Sequence, residues 1–219
     1  MSTKFDYLLK FIIIGDSSVG KSNILSSFRD GSFTEKKQPS IGVEFIAKNI
    51  KIGNLIFRLQ IWDTAGQETF LSMTKVYYKN SSCAFIVYDI TEKESFNHIN
   101  FWLNELKQEA PESILYVLIG NKCDLNLRRE VSYEEGENFA KKNNMMFFET
   151  SAKNGDNINT IFKESVKYIK NNIENGIYDL NDDSCGVKSC NTTRELNFDE
   201  LDIDVTTMAG RSKNKKKCC

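Results

Sequence analysis

Histidine is almost missing from this chain of 219 residues, with His98 the only one. Zinc centres built on histidine clusters, and the Ser-His-Asp and Cys-His nucleophile schemes, are thereby close to excluded. An excess of positive charge is missing too. Lys and Arg number 29 against 30 Asp and Glu, a net charge of -1, so no global basic field points to nucleic acid as a partner. The most apolar stretch, Leu8 to Ile14, is broken by Lys10 and is far shorter than the roughly 20 residues a membrane-crossing helix needs. The opening Met-Ser-Thr-Lys-Phe-Asp has neither the apolar core of a secretory signal nor the Gly after Met that myristoylation requires. Internal repeats are absent as well. The cysteines, at 83, 123, 185, 190, 218 and 219, form no CxxC pair and no regular secreted framework, which points to a reducing, cytosolic setting.

What is present describes a globular chain, 40% hydrophobic and 27% charged, long enough for one large domain plus a tail. Continuous apolar runs at Phe11–Ile14, Ala84–Tyr88, Leu115–Ile119 and Met145–Phe148 have the pattern of parallel strands buried on both faces. Helical patterns lie between them. Phe96, Ile99, Leu103 and Leu106 follow a Thr91-x-x-Glu94 capping box, Ser132-x-x-Glu135 marks another start, and Ile158, Ile161, Phe162, Val166 and Ile169 form a third stripe. Val43–Ile52 and Leu55–Trp62 are β-rich and separated only by Gly53-Asn54, which predicts a hairpin. The fold class expected is therefore α/β, a mixed, mostly parallel sheet flanked by helices. Cys83 reads as core, while Cys185 and Cys190 are too isolated for a metal site. After about Asn175 the pattern stops, and the polar segment 176–219 reads as a flexible tail, spanning roughly 35–40 Å as a random coil.

The first apolar run leads into Gly15-Asp16-Ser17-Ser18-Val19-Gly20-Lys21-Ser22, a G-x-x-x-x-G-K-S phosphate loop, and then into a helical stretch from Asn23 to Phe28. Backbone N–H groups of such a loop and the positive helix end cradle phosphate oxygens. Lys21 neutralises charge there, and the Ser22 hydroxyl is a ligand for Mg²⁺. The alternative, a glycine turn that merely joins strand to helix, leaves the Lys-Ser pair unexplained. The loop alone does not separate ATP from GTP.

The remaining motifs resemble those of the small GTPases of the Ras superfamily, and within it the Rab branch. Asn121-Lys122-Cys123-Asp124 matches the guanine motif N-K-x-D, and Ser151-Ala152-Lys153 matches S-A-K. Asp63-Thr64-Ala65-Gly66-Gln67 matches the switch element D-x-x-G-Q, and Ser40-Ile41-Gly42 stands at the switch I core, with Ser where the family normally has Thr and with Lys37 where many relatives carry Tyr. By this resemblance Asp124 reads the guanine N1–H and amino group, Asn121 braces the loop, the Lys122 stem lies along the base, and the Ala152 N–H meets the guanine oxygen. Phe33 packs on the base edge. Ser22, Ser40 and Asp63 hold Mg²⁺, the Gly66 N–H approaches the γ-phosphate, and Gln67 orients the attacking water with Lys21 stabilising charge.

The resemblance covers residues 1–175, expected as one GTPase domain with a six-stranded sheet, plus the chain end. Phe45, Trp62 and Tyr77 match the aromatic triad beside the Rab switches, which with Ile41 and Gly42 would read effectors; core packing is the plainer alternative for these rings. Cys218-Cys219, preceded by five cations in Arg211–Lys217, resembles the Rab double-cysteine end that carries geranylgeranyl groups. The function implied is a GTP/GDP switch that hydrolyses GTP slowly on the cytoplasmic face of intracellular or plasma membranes, in vesicle traffic. Effectors, an exchange factor, a GTPase-activating protein, a prenylation escort and a GDP-dissociation inhibitor are the partners implied. Two rivals stand beside it: a GTP-binding effector-recruitment module with little hydrolysis, and a P-loop kinase or ATPase with a different base reader.

Overall fold

The apolar runs of the sequence become neighbouring strands. The computed structural model describes residues 4–35, 43–64 and 71–190. Strands β1 (Tyr7–Ile14), β2 (Val43–Ile52), β3 (Leu55–Thr64), β4 (Cys83–Asp89), β5 (Leu115–Asn121), β6 (Met146–Thr150) and β7 (Val187–Ser189) form one sheet. Six of them run in the order β2-β3-β1-β4-β5-β6. β1 pairs in parallel with β3 and β4, β4 with β5, and β5 with β6, while β2 and β3 form the expected antiparallel hairpin with Ile52 opposite Leu55.

Helices α1 (Lys21–Asp30), α2 (Leu71–Tyr78), α3 (Lys93–Asn97), α4 (Ile99–Glu109), α5 (Tyr133–Lys142) and α6 (Ile158–Glu174) cover both faces. Alternation along β1 divides the core. Leu9, Phe11 and Ile13 pack with Ile24, Leu25 and Phe28 of α1 and with Ile161, Phe162 and Val166 of α6. Ile12 and Ile14 face the other way, into Tyr78, Ile99, Trp102, Leu103 and Leu106. Cys83 is fully buried, as its apolar run implies.

Two expectations are corrected. The Ser132 capping box forms, with Glu135 N donating to Ser132 Oγ at 3.1 Å and Ser132 N to Glu135 Oε2 at 3.2 Å. The one read at Thr91 does not, because the Thr91 hydroxyl donates instead to Asp89 Oδ1 at 2.7 Å. The helical stretch there is also split, with His98 between α3 and α4. The second correction concerns the expected domain end at residue 175 and the six-stranded sheet. β4 starts at Cys83, opposite Phe11, and so leaves the Tyr7–Lys10 edge of β1 without a partner strand. β7 fills that gap in antiparallel register, Tyr7 with Ser189 and Leu9 with Val187, with Lys10 N donating to Gly186 O at 3.2 Å. Tyr178, Cys185 and Val187 are buried in the α1/α6 core. The ordered unit thus extends through residue 190, and the remainder of the expected tail, 191–219, lies outside the described residues.

Candidate functional site

Parallel strands bring their carboxyl ends to one edge of the sheet, where loops converge on a ligand crevice. Here β1 ends into Gly15, β4 at Asp89, β5 at Asn121 and β6 at Thr150. Between these loops lies a pocket of about 220 Å³, lined by Ser18, Gly20 and Asn23 on one side, Phe33 and Glu35 at the rim, and Asn121, Lys122, Asp124, Leu125, Ala152 and Lys153 on the other. The phosphate-loop motif and both guanine motifs, far apart in the chain, therefore meet around one cavity.

The loop turns into α1 through Gly20, which has φ +99 in the left-handed region. A Cβ there would stand 2.4 Å from Asn121 Nδ2, so the close approach of the two loops requires glycine. Ser17 and Ser18 are exposed at the loop crest, and Val19 is buried beneath it. Lys21 is 6% exposed and donates to the carbonyls of Gly15 at 2.8 Å and Asp16 at 2.6 Å. Burial pushes its ammonium down to about 8, against the opposing pull of the Asp63 and Asp16 carboxylates. A buried cation held by loop carbonyls is placed to exchange those contacts for phosphate oxygens.

Beside it, the Ser22 hydroxyl donates to Asp63 Oδ2. Asp63 is fully buried near the end of β3. A hydroxyl next to a carboxylate is a pair of hard oxygen donors of the kind Mg²⁺ takes, and the residues present fit that ion. Among the described residues no group of three His, Cys, Asp or Glu forms a metal cage.

On the base side the network is dense. Asn121 Nδ2 donates to Val19 O at 2.9 Å, which bolts the guanine-motif loop to the phosphate loop. Its Oδ1 accepts from Thr150 Oγ1 at 3.1 Å and from Ala152 N at 3.4 Å. Ser151 Oγ donates to Asp124 Oδ1 at 2.6 Å and orients that carboxylate. Lys122 adopts φ +68, and its ammonium pairs with Asp89 Oδ2 at 2.5 Å. Asn23 Nδ2 reaches Thr34 O at 3.2 Å and ties α1 to the segment that carries Phe33, itself 37% exposed at the pocket.

Asp89 and Thr150 were not singled out by the sequence analysis. The signal available was a polar residue just past an apolar run, Asp89 after Phe85–Tyr88 and Thr150 two positions after Met145–Phe148. Asp16 belongs to the loop as expected, but its side chain faces α4, where Trp102 and His98 meet it.

Beside the hairpin, Trp62 lies between Phe45 and Tyr77, with ring centroids at 4.7 Å and 4.9 Å. Phe45 is 43% exposed, which makes simple core packing an incomplete explanation for it. Lys37, Ser40, Ile41, Gly42, Gly66, Gln67, Cys218 and Cys219 fall outside the described residues. Residues 10–171 match the Ras family model, which agrees with the sheet order and with the loops that meet at the pocket. The chain belongs to the Ras family, the small GTPases that switch between GTP- and GDP-bound states.

Proposed function

We propose that this chain is a Rab-like GTP/GDP switch in vesicle-mediated membrane traffic. The observation that carries the guanine reading is Asp124, an acceptor carboxylate at the pocket, oriented by Ser151. A carboxylate accepts two N–H donors side by side, which the guanine edge offers in N1–H and its amino group and the adenine edge does not. Asn121 braces the loop, the Lys122 stem covers one face of the base, the Ala152 N–H meets the guanine oxygen, and Ser151, Lys153 and Phe33 enclose it.

The loop from Asp16 to Ser22, with Asn23 behind it, receives the phosphates. Lys21 leaves its carbonyl partners for the β- and γ-oxygens, and Ser22 and Asp63, with Ser40 in the GTP state, hold Mg²⁺. When bound, that ion neutralises charge on the phosphate oxygens. Gly66 and Gln67 sit at the γ-phosphate, where Gln67 orients water for in-line attack. Positioning and charge do this work, and no covalent protein nucleophile is needed.

The Rab-like part rests on the contiguous Phe45, Trp62 and Tyr77 rings, the effector surface together with Ile41 and Gly42. It rests also on Cys218-Cys219 behind the cations of Arg211–Lys217. Two geranylgeranyl chains and a basic stretch anchor a protein to an anionic cytoplasmic leaflet, where one chain is marginal. An exchange factor, an activating protein, a prenylation escort and a GDP-dissociation inhibitor then run the cycle.

The test is single-turnover phosphate release from GTP-loaded protein in Mg²⁺, beside Gln67→Leu, with ATP competition as the base check. Slow release that the substitution suppresses, unaffected by excess ATP, is expected. GTP that stays intact in both proteins overturns the hydrolytic switch and leaves a GTP-binding recruitment module. Displacement by ATP overturns the guanine reading.

A further inference from the structure

The phosphate loop is fastened to α4 through a carboxylate. Asp16 Oδ1 accepts from Trp102 Nε1 at 2.7 Å, and Asp16 Oδ2 lies 2.8 Å from His98 Nδ1. Trp102 is 2% exposed in the first turn of α4, and His98 is the residue that caps that helix. Both carboxylate oxygens are thus engaged by groups more than eighty residues away in the chain. The backbone carbonyl of the same residue accepts from Lys21 Nζ at 2.6 Å.

An acidic side chain in a loop that must receive phosphate works against its ligand, because like charges at contact distance repel strongly where water is partly excluded. The geometry resolves this conflict by turning the carboxylate outward into an indole N–H and an imidazole. Released from that grip, the same carboxylate is free to compete with phosphate for Lys21, whose charge it already supports. α4 is a firm anchor, since Ile99, Leu103 and Leu106 are buried and Glu105 pairs with Lys75 of α2 at 2.8 Å.

We propose that Trp102 and His98 are positioning residues for the phosphate loop, and that by holding Asp16 outward they set how long a bound guanine nucleotide stays. The proposal rests on the nucleotide-binding reading of the loop and adds two residues to it.

The test uses the full chain loaded with fluorescent GDP in Mg²⁺ and chased with excess unlabelled GDP. Trp102→Phe keeps the ring packing but loses the N–H. A lost hydrogen bond to a charged acceptor corresponds to release faster by roughly tenfold. His98→Ala, at a half-exposed site, is expected to give about a two- to fivefold acceleration. His98→Gln, whose amide still donates to Asp16, restores the original rate. Association rates stay within about twofold throughout, a split that general destabilisation does not produce. In a double-mutant cycle, Asp16→Asn removes the competing carboxylate and brings release in the Trp102→Phe background back toward the original rate. If Trp102→Phe does not fold, His98→Ala and His98→Gln carry the test.

Variants that hold GDP and release it at the original rate overturn the clamp. A parent protein that takes up no GDP overturns the nucleotide reading, and the clamp with it.

Discussion

Asn121 is 1% exposed and engages both ends of its amide inside the protein, at Val19, Thr150 and Ala152. That arrangement makes Gly20 a pressure point, because any side chain there strikes Asn121 Nδ2 while forcing an L-residue to φ +99. The left-handed backbone and a broken buried hydrogen bond together cost several kcal/mol, so Gly20→Ala is expected to weaken guanine nucleotide binding by about a hundredfold. A fluorescence titration checks it, and an affinity within threefold of the parent would contradict the packing described. Lys10 supplies the pH dependence at this scale. Burial pushes its ammonium down to about 8 from an ordinary 10.5, while Nζ donates to Lys79 O at 2.7 Å. The unfolded chain therefore binds more protons than the folded one between those two values, and stability rises with pH across that window. As pH falls through about 8 this gain is lost. In urea titrations, the parent is expected to gain stability relative to Lys10→Met as pH rises from 8 to 10.5, with a constant gap below 8.

At the scale of elements, β7 has the clearest consequence. Its hydrogen bonds satisfy the edge of β1 that β4 does not reach, and unpaired backbone groups in such a position are costly. Gly186, at φ +71, passes so close to Ser81 and Ser82 that a Cβ would lie 2.4 Å from Ser82 N. Tyr178 locks the approach to this strand, its hydroxyl donating to Ser113 O at 3.2 Å. Ending the chain after Gly176 removes the burial of Tyr178, Cys185 and Val187 and recovers the entropy of ordering the segment. A net loss of about 2 kcal/mol is expected, within the ordinary range for losing buried side chains from a core. For a domain of this size that lowers the thermal midpoint by roughly 4–8 °C, readable by circular dichroism. An unchanged midpoint would mean that the strand merely rests on the domain. The segment lies beyond residue 171, where the Ras family match ends.

For the whole molecule, the sheet separates two ends. The pocket sits at the carboxyl ends of β1, β4, β5 and β6, while β7 pairs with the opening residues of β1, and Cys190 N donates to Asp6 O at 2.9 Å. Residue 190 therefore stands at the end of the sheet opposite the pocket. Because the pocket joins α1, β5 and β6 through Asn23, Asn121 and Ser151, a ligand there ties together elements that otherwise move apart on unfolding. GDP at a thousand times its dissociation constant, with Mg²⁺, adds about 4 kcal/mol by mass action. The melting temperature is expected to rise by roughly 8–16 °C. Chelating the metal should shrink that rise, and scanning calorimetry on the full chain measures both.

Local pattern by itself determined the alternating strands and helices, the Gly53-Asn54 hairpin, the Ser132 capping box and the phosphate loop, because each depends on residues within a few positions of one another. It also put Asn121, Asp124 and Ser151 in one site by resemblance. Tertiary structure alone decided the rest. Thr91 has a capping sequence, yet its hydroxyl goes to Asp89 at the end of β4. Val187 is one apolar residue in a polar stretch, and it becomes a strand only because β1 has an open edge. Asp16 sits in a motif that specifies its place but not its partners, which come from a helix more than eighty residues on. Short-range sequence encodes backbone preference and periodicity. Which carboxylate meets which donor depends on the free energy of satisfying buried polar groups across the assembled fold, and no local window contains it.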